Sequence, residues 1–303
     1  VVRSIGSDLH MDYTAVGQTT HLAARMEQLA RPGTTLITEA TLRGAEGFVQ
    51  VKALGPTPIR GLAEPVPVYE VVGAGPVRTR LQASLARGLT RFVGRDAEAD
   101  RLRRALEQAG RGRGQIVAVV GEPGVGKSRL FFEFIHSHRT EGWLVLESSS
   151  VSYGKATPYL PMIDLLKGYF KITEQDDTRA VRAKVTGNVL TLDEGFKDSV
   201  PPLLWVLDAL PKDHEFMGLD AAVRRTRTLE AVKRVLLRES RTQPLLLVFE
   251  DLHWIDAETQ GLLDSLVETL PTTSILLAVN YRPEYQQPWG NKSYYRQLRI
   301  DAL

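Results

Sequence analysis

Short apolar runs recur along the last two thirds of the chain, and three of the four are bounded by glycine, proline or acidic residues. They lie within residues 115–120, 143–147, 245–249 and 274–280. Each run predicts a strand, and the runs at 245–249 and 274–280 predict strands that are buried within a parallel sheet. Directly after the first run, helical spacing places four apolar residues on one face: Leu130, Phe131, Phe134 and Ile135. The pattern predicts an α/β domain with a parallel sheet.

Apolar residues at helical spacing also occur in the segments before and after the third run. Residues 174–210 predict a polar helical insertion that is broken by Pro201-Pro202. Residues 230–239 predict a helix with an apolar face, and Asp256 is the predicted N-cap of a helix over 258–270.

The first 73 residues follow a different pattern. Strand-forming residues at 8–16 predict a strand or hairpin, and a helical stripe at 20–30 ends before Pro32. Short strands are predicted near 35–37, 48–54 and 66–72, with a turn at 55–58. Residues 1–73 are therefore predicted to be part of a small domain of helices and strands. Residues 74–90 contain scattered arginines and no apolar stripe, so they predict a linker to a second domain at 91–303.

Composition narrows the function classes. A net charge of +2 is too small to indicate a nucleic-acid or membrane partner. The absence of cysteine excludes disulfides and thiolate metal sites. No apolar run reaches the roughly 18 residues needed to cross a bilayer. The absence of cysteine fits a reducing cytosol, and we expect a cytoplasmic protein. The sequence begins at Val1 without Met and ends abruptly at Leu303, which predicts an internal fragment of a longer protein.

The most specific motif is the run Gly121-Glu122-Pro123-Gly124-Val125-Gly126-Lys127-Ser128, with the spacing GxxxxGKS. It lies between a predicted strand and a predicted helix, as a phosphate-binding loop requires. Glycines let main-chain N–H groups point at a phosphate, and the helix N-terminus adds partial positive charge. We expect Lys127 to bind the β- and γ-phosphates and Ser128 to bind Mg²⁺. Arg129 completes the predicted nucleotide-binding loop, and a flexible connecting loop is the alternative.

Glu250 and Asp251 follow the third apolar run. Carboxylates at the C-terminal end of a buried parallel strand lie where ligands bind in open α/β sheets. We expect both carboxylates and Ser128 to belong to the Mg²⁺ site. Glu250 is then the acid nearer to Mg²⁺, and Asp251 orients the attacking water. The order Glu-Asp leaves the division between them open.

The fourth run ends in Asn280, Tyr281 and Arg282. If this strand lies between the two motif strands, Asn280 positions the water and Arg282 senses the γ-phosphate. Lys127, Glu250, Asp251 and Arg282 are then the predicted catalytic residues. A surface arginine at a turn is the alternative for Arg282.

The second domain opens with Phe92 and Val93, followed by a glycine turn and a charged helix at 96–109. An aromatic ring and a valine at this position can cover an adenine ring. The alternative is an ordinary strand-to-helix entry. Both interpretations stay open on chemistry alone.

Residues 92–95, 250–256 and 281–284 together resemble the signal-transduction ATPases with numerous domains, a class of P-loop NTPases. More narrowly, the chain is similar to bacterial proteins that join a class III cyclase domain, such an ATPase and helical repeats. The resemblance implies ATP and Mg²⁺ as ligands, a cyclase dimer partner and a downstream helical-repeat domain. It also implies that His253 lies near the nucleotide, with a core or interface histidine as the alternative.

Residues 12–27 resemble the late conserved segment of class III nucleotidyl cyclases, whose domain is ferredoxin-like and α+β. The resemblance implies that Thr14 chooses the purine, His21 touches the ribose and Arg25 stabilises charge on the triphosphate. Arg60 takes the place of a phosphate-binding lysine. His21 stands where the family has Asn, and a solvated helix face is the alternative for Arg25. The family's metal-binding aspartates lie upstream of this segment, so we expect no cyclase activity from these residues alone.

Taken together, these observations predict an ATP-binding and ATP-hydrolysing signalling domain of a cyclase–ATPase fusion, acting as a nucleotide-dependent switch. Three alternatives stay open: a binding switch without turnover, an adenylate cyclase in the full-length protein, and an ATP-dependent transcriptional regulator.

Overall fold

The structure is a computed structural model that describes residues 2–5, 12–15, 17–75, 85, 88–151 and 157–302. It divides into two compact units, Val1–Arg91 and Phe92–Leu303. Most of the predicted linker at 74–90 lies outside the described residues. Within the described part, no helix has both the length and the apolar character that a bilayer crossing requires.

The first unit is built from short helices and antiparallel strands. Strands β1 (Val2–Ile5) and β2 (Asp12–Ala15) pair with each other, and helices α1 (Gln18–Leu29) and α2 (Glu39–Gly44) follow in the chain around β3 (Thr35–Thr38). Strands β4 (Val49–Thr57) and β5 (Val66–Ala74) join β3 in a sheet of order β3-β5-β4. Met26, Ile59 and Val68 form the buried core of this unit.

The turn predicted at 55–58 is wrong, because β4 continues through Gly55 and Pro56 to Thr57. The register of β4 against β5 shifts between Ala53 and Gly55, and Gly55 has φ 87°. Gly55 therefore lies in a β-bulge within β4. Among the described strands β4 is at the edge of the sheet, where a proline that lacks an N–H is tolerated.

The second unit contains a five-stranded sheet in which every pair of neighbours is parallel. Its strands are β6 (Gln115–Val120), β7 (Leu144–Ser149), β8 (Leu245–Glu250), β9 (Ile275–Tyr281) and β10 (Tyr295–Arg299). Their order is β10-β6-β9-β8-β7, so β9 lies between β6 and β8. The prediction of an α/β fold with a parallel sheet is confirmed, and the strand order meets the condition placed on Asn280.

Helices cover both faces of this sheet. They are α3 (Asp96–Gly110), α4 (Lys127–Ile135), α5 (Leu160–Tyr169), α6 (Thr178–Leu192), α7 (Val200–Val206), α8 (Ala221–Glu239) and α9 (Ala257–Val267). Val117 and Val119 point to a core shared with α3 and α4, while Ile116 and Ala118 point to the core under α5–α9. Because both faces of each inner strand are buried, the strands appear in the sequence as unbroken apolar runs.

The helical insertion differs from its prediction. Pro201 and Pro202 lie in the first turn of α7, after a short 3₁₀ turn at Glu194–Ser199. A proline in the first helical turn loses no hydrogen bond, so this pair begins a helix and does not break one. Likewise α8 starts at Ala221, because Asp220 caps its N-terminus through a bond from the N–H of Ala222.

Candidate nucleotide-binding site

The phosphate-binding motif forms the turn between β6 and α4. Gly124 and Gly126 have φ values of 84° and 96°, which only glycine adopts without strain. Gly121 is required for a different reason. A Cβ atom there would lie 2.4 Å from the carbonyl oxygen of Ile300 and 2.9 Å from Cγ2 of Val125. The glycines therefore set the path of the loop that leads into the N-terminus of α4.

Lys127 is the first residue of α4 and is only 7% exposed. Its ammonium group donates to the carbonyl oxygens of Gly121 at 2.8 Å and Glu122 at 3.0 Å. Burial lowers the pKa of Lys127, and the charge of Asp251 opposes this shift. Among the described residues, none of the ion pairs includes Lys127. A buried ammonium group held by neutral carbonyls suits an anion such as a phosphate.

Ser128, Glu250 and Asn280 form one hydrogen-bonded group. The Ser128 hydroxyl and the Asn280 amide both bond to the Glu250 carboxylate, the latter from Nδ2 to Oε2 at 2.8 Å. Burial raises the pKa of Glu250, while these two hydrogen bonds act in the opposite direction. The group joins the start of α4 to the ends of β8 and β9.

Asp251 has an unusual backbone, with φ 57° and ψ 44°. Its N–H donates to Oδ1 of Asn280 at 2.8 Å, and its carbonyl accepts from the N–H of Trp254 at 2.9 Å. The side chain is 45% exposed, whereas Glu250 is half-buried. The two adjacent acids therefore point into different environments, one beside Ser128 and one toward solvent.

His253 and Arg282 lie near the same end of the sheet. Oδ1 of Asp251 is 3.9 Å from Nδ1 of His253, and burial lowers the pKa of this histidine. Nη1 of Arg282 lies 3.9 Å from Oε1 of Glu284. The guanidinium carbon of Arg282 lies over the Trp254 ring, 5.9 Å from its centroid. Its charge also helps to lower the pKa of Lys127, so it acts on the phosphate-binding loop electrostatically.

The two residues predicted to cover the adenine differ in burial. Phe92 packs against the core beside α3 and α4, with the Arg129 guanidinium 5.8 Å from its ring, and Val93 is exposed. Arg129 also pairs with Glu133 at 2.6 Å, so its charge is partly compensated.

Arg95 is a buried residue of this site that sequence reasoning did not include. Its guanidinium donates to the carbonyl oxygen of Val125 in the loop at 3.3 Å and to the carbonyl oxygen of Asp301, and it pairs with Glu98 at 3.3 Å. Arg95 belongs to the segment 92–95 that carries the ATPase resemblance, but its position directly before a charged helix favours a solvated side chain.

The cyclase-like residues lie in the first unit. Thr14 is in β2 opposite Arg3, and its side chain lies outside the described part of the structure. His21 is exposed on α1, Arg25 bonds to Gln28 at 2.7 Å, and Arg60 is exposed after β4. No hydrogen bond or ion pair between described residues links His21, Arg25 and Arg60.

Magnesium fits the donor set of Ser128 and Glu250, because a hydroxyl and a carboxylate are the oxygen ligands it takes. Among the described residues, no group of three or more His, Asp or Glu side chains forms a metal cage. Such a cage is not required, since Mg²⁺ is usually held by one or two carboxylates together with substrate phosphates.

A profile of the AAA ATPase domain matches residues 91–279, which include the phosphate-binding loop, β8 and most of β9. This chain belongs to the AAA ATPase domain family. AAA ATPase domains bind ATP and generally use Mg²⁺, in agreement with the donor set around Lys127 and Ser128. The prediction of a nucleotide-binding P-loop domain is confirmed at this level.

Individual relatives of this AAA ATPase domain protein are distant. An uncharacterized protein of Rhizobium meliloti (strain 1021) is 24% identical over 284 residues, or 93% of this chain and 27% of that protein. The chain thus spans about a quarter of the length of the curated relative that it matches.

Two solved structures are also similar in part. The adenylyl cyclase CyaB from P. aeruginosa is 30% identical, with 26% of this chain and 38% of that chain covered at a TM-score of 0.22. The structure of Drosophila ORC bound to AT-rich DNA and Cdc6 is 10% identical, with 74% of this chain and 61% of that chain covered at a TM-score of 0.31.

Proposed function

We propose that residues 91–303 bind ATP with Mg²⁺ and hydrolyse it slowly, as a nucleotide-dependent switch in a signalling protein. The observation that carries this proposal is the hydrogen-bonded group of Ser128, Glu250 and Asn280 beside the buried Lys127. It brings an ammonium group, a hydroxyl and a carboxylate to one edge of a parallel sheet. These are the groups that recognise a magnesium–triphosphate complex.

The loop and Lys127 bind the phosphates. Main-chain N–H groups around Gly124 and Gly126 surround the anion, and Lys127 exchanges its bonds to two loop carbonyls for bonds to phosphate oxygens. Ser128 and Glu250 hold the magnesium ion, which neutralises charge on the β- and γ-phosphates when it is bound. Phe92 and Val93 cover the adenine ring.

Water attacks the γ-phosphate in line with the leaving oxygen. Asp251 orients this water, because its carboxylate is accessible whereas that of Glu250 is occupied by Ser128 and Asn280. Asn280 fixes the main chain of Asp251 through the N–H bond, and Arg282 compensates negative charge that builds up at the γ-phosphate. The division of labour between the two acids follows from their different exposure.

Single-turnover hydrolysis of labelled ATP tests this proposal. We expect phosphate release by the wild type, a loss of about 100-fold or more in Asp251→Asn, and no change in the control Asp213→Asn, which is exposed. Tight ATP binding without any phosphate release by the wild type would instead support a binding switch without turnover.

We propose that the first unit is the C-terminal part of a nucleotidyl cyclase homology domain, on the basis of residues 12–27. His21 and Arg25 lie one turn apart on α1, as the resemblance requires. In the full-length protein this domain pairs with a second cyclase domain, and helical repeats follow the ATPase. These 303 residues alone should produce no cyclic nucleotide from ATP or GTP, and a measured product would contradict this assignment.

A further inference from the structure

The His253 ring is buried without a polar partner. Its side chain is 5% exposed, and among the described residues neither ring nitrogen has a hydrogen-bond partner although both are shielded from solvent. Buried polar side-chain atoms are normally paired, so each exception needs an explanation. The Asp251 carboxylate lies beside the ring, with 3.9 Å between Oδ1 and Nδ1.

The main chain around this pair is held firmly. The Asp251 N–H is bonded to Asn280, and the turn at Leu252–Trp254 closes with bonds from the N–H groups of Trp254 and Ile255. Leu252 is fully buried, and the His253 ring packs against that of Trp254 with 5.2 Å between ring centroids. The Asp251 side chain is the accessible member of this arrangement, so its rotation is what can close the gap to the imidazole.

We propose that His253 is a positioning residue for Asp251: Nδ1–H of the imidazole donates to the Asp251 carboxylate and holds it toward the attacking water. This inference rests on the function proposed above, in which Asp251 orients that water. A neutral imidazole with its proton on Nδ1 has one N–H to donate to a carboxylate oxygen. The bond satisfies Nδ1, one of the two buried ring nitrogens, and fixes the carboxylate in one rotamer.

Two substitutions separate this role from a packing role. Asn in His253→Asn places an N–H donor close to the position of Nδ1, whereas Leu in His253→Leu fills the space without a donor. We expect the single-turnover rate to fall about 10–100-fold in His253→Leu and to stay within about 3-fold of wild type in His253→Asn. The affinity for ATP should stay unchanged in both variants, because His253 acts on the water and not on the phosphates.

Thermal unfolding provides the matching stability measurement. His253→Leu should unfold at the wild-type temperature or above, because an unpaired buried polar group is replaced by an apolar one. His138→Leu, which replaces an exposed histidine far along the chain, is the control and should hydrolyse ATP at the wild-type rate. A normal rate in His253→Leu, or a joint loss of rate and stability without rescue by Asn, would overturn the inference.

Nitrogen NMR of the His253 ring separates failure of this inference from failure of the proposed function. If the wild type releases no phosphate, the proposed ATPase activity is wrong, but the ring can still be observed with a nonhydrolysable ATP analogue. We expect the Nδ1–H tautomer in the wild type and a changed Nδ1 resonance in Asp251→Asn. An identical resonance in both proteins would overturn the pairing of His253 with Asp251.

Discussion

Asn280 and Glu250 are hydrogen-bonded where β9 and β8 end, with 2.8 Å between Nδ2 of Asn280 and Oε2 of Glu250. The same amide accepts the N–H of Asp251 through Oδ1. One fully buried side chain thus fixes a carboxylate and the main chain of the acid that follows it. The relationship exists only because β9 lies next to β8, although the two strands are separated by a helix in the chain.

Asn280→Ala should lower the free energy of unfolding by about 1–3 kcal/mol, because it leaves the Glu250 carboxylate and the Asp251 N–H without this partner. Urea denaturation measures the change. Asn188→Ala is the matched control, since Asn188 is exposed on α6 and donates to the carbonyl oxygen of Lys184 in its own helix. An Asn280→Ala variant as stable as the control would show that the amide does not hold the two acids.

Glu250→Gln should raise the free energy of unfolding at neutral pH while weakening the Mg²⁺ dependence of ATP binding. Burial raises the pKa of Glu250, so the free energy of unfolding falls as pH rises from the ordinary carboxyl range through this raised pKa. The amide avoids that cost, and we expect a gain of about 0.5–2 kcal/mol at neutral pH that shrinks at acidic pH. The dependence of ATP binding on Mg²⁺ should weaken, because an amide is a poorer ligand for Mg²⁺ than a carboxylate.

Urea denaturation at neutral and acidic pH, together with ATP titrations with and without Mg²⁺, checks both parts. If Glu250→Gln is less stable than wild type at neutral pH, the charged carboxylate stabilises the fold and the predicted gain in stability is wrong.

Gly121→Ala should impair the phosphate-binding loop, because the added Cβ would approach the carbonyl oxygen of Ile300 to 2.4 Å. We expect a loss of about 1–3 kcal/mol in the free energy of unfolding and weaker ATP binding. Gly187→Ala is the control: no heavy atom lies within 4 Å of its Cβ position in α6, so it should stabilise by about 0.5–1 kcal/mol. Equal stability of the two variants would contradict the close approach at Gly121.

Elements with a strong local signal were predictable from the sequence. The four apolar runs correspond to β6, β7, β8 and β9. The runs of β6, β8 and β9 are long and apolar because these strands are buried on both faces, whereas β7 lies at the end of the sheet and is only partly buried. Asp256 was also predictable as a helix N-cap, and it accepts bonds from the N–H groups of Glu258 and Thr259. The conditional prediction for Asn280 depended on strand order, which sequence patterns do not reveal.

Features that depend on distant contacts were not predictable. Arg95 reaches the carbonyl of Asp301, 206 residues later in the chain, and no local pattern signals that contact. Local chemistry was also misleading at Pro201-Pro202 and at Gly55-Pro56, because a proline has different effects at a helix start, in an edge strand and in a turn. The role of each proline follows from its neighbours in space.

ATP affinity of Lys127→Ala is the most direct test of the central claim, that Lys127 and the glycine-rich loop bind a triphosphate at the end of the parallel sheet. Isothermal titration with MgATP should give an affinity about 10–100-fold below wild type, the loss expected for a charge-assisted hydrogen bond to phosphate. Lys212→Ala, which removes an exposed lysine, should bind as wild type. An unchanged ATP affinity in Lys127→Ala would contradict the account.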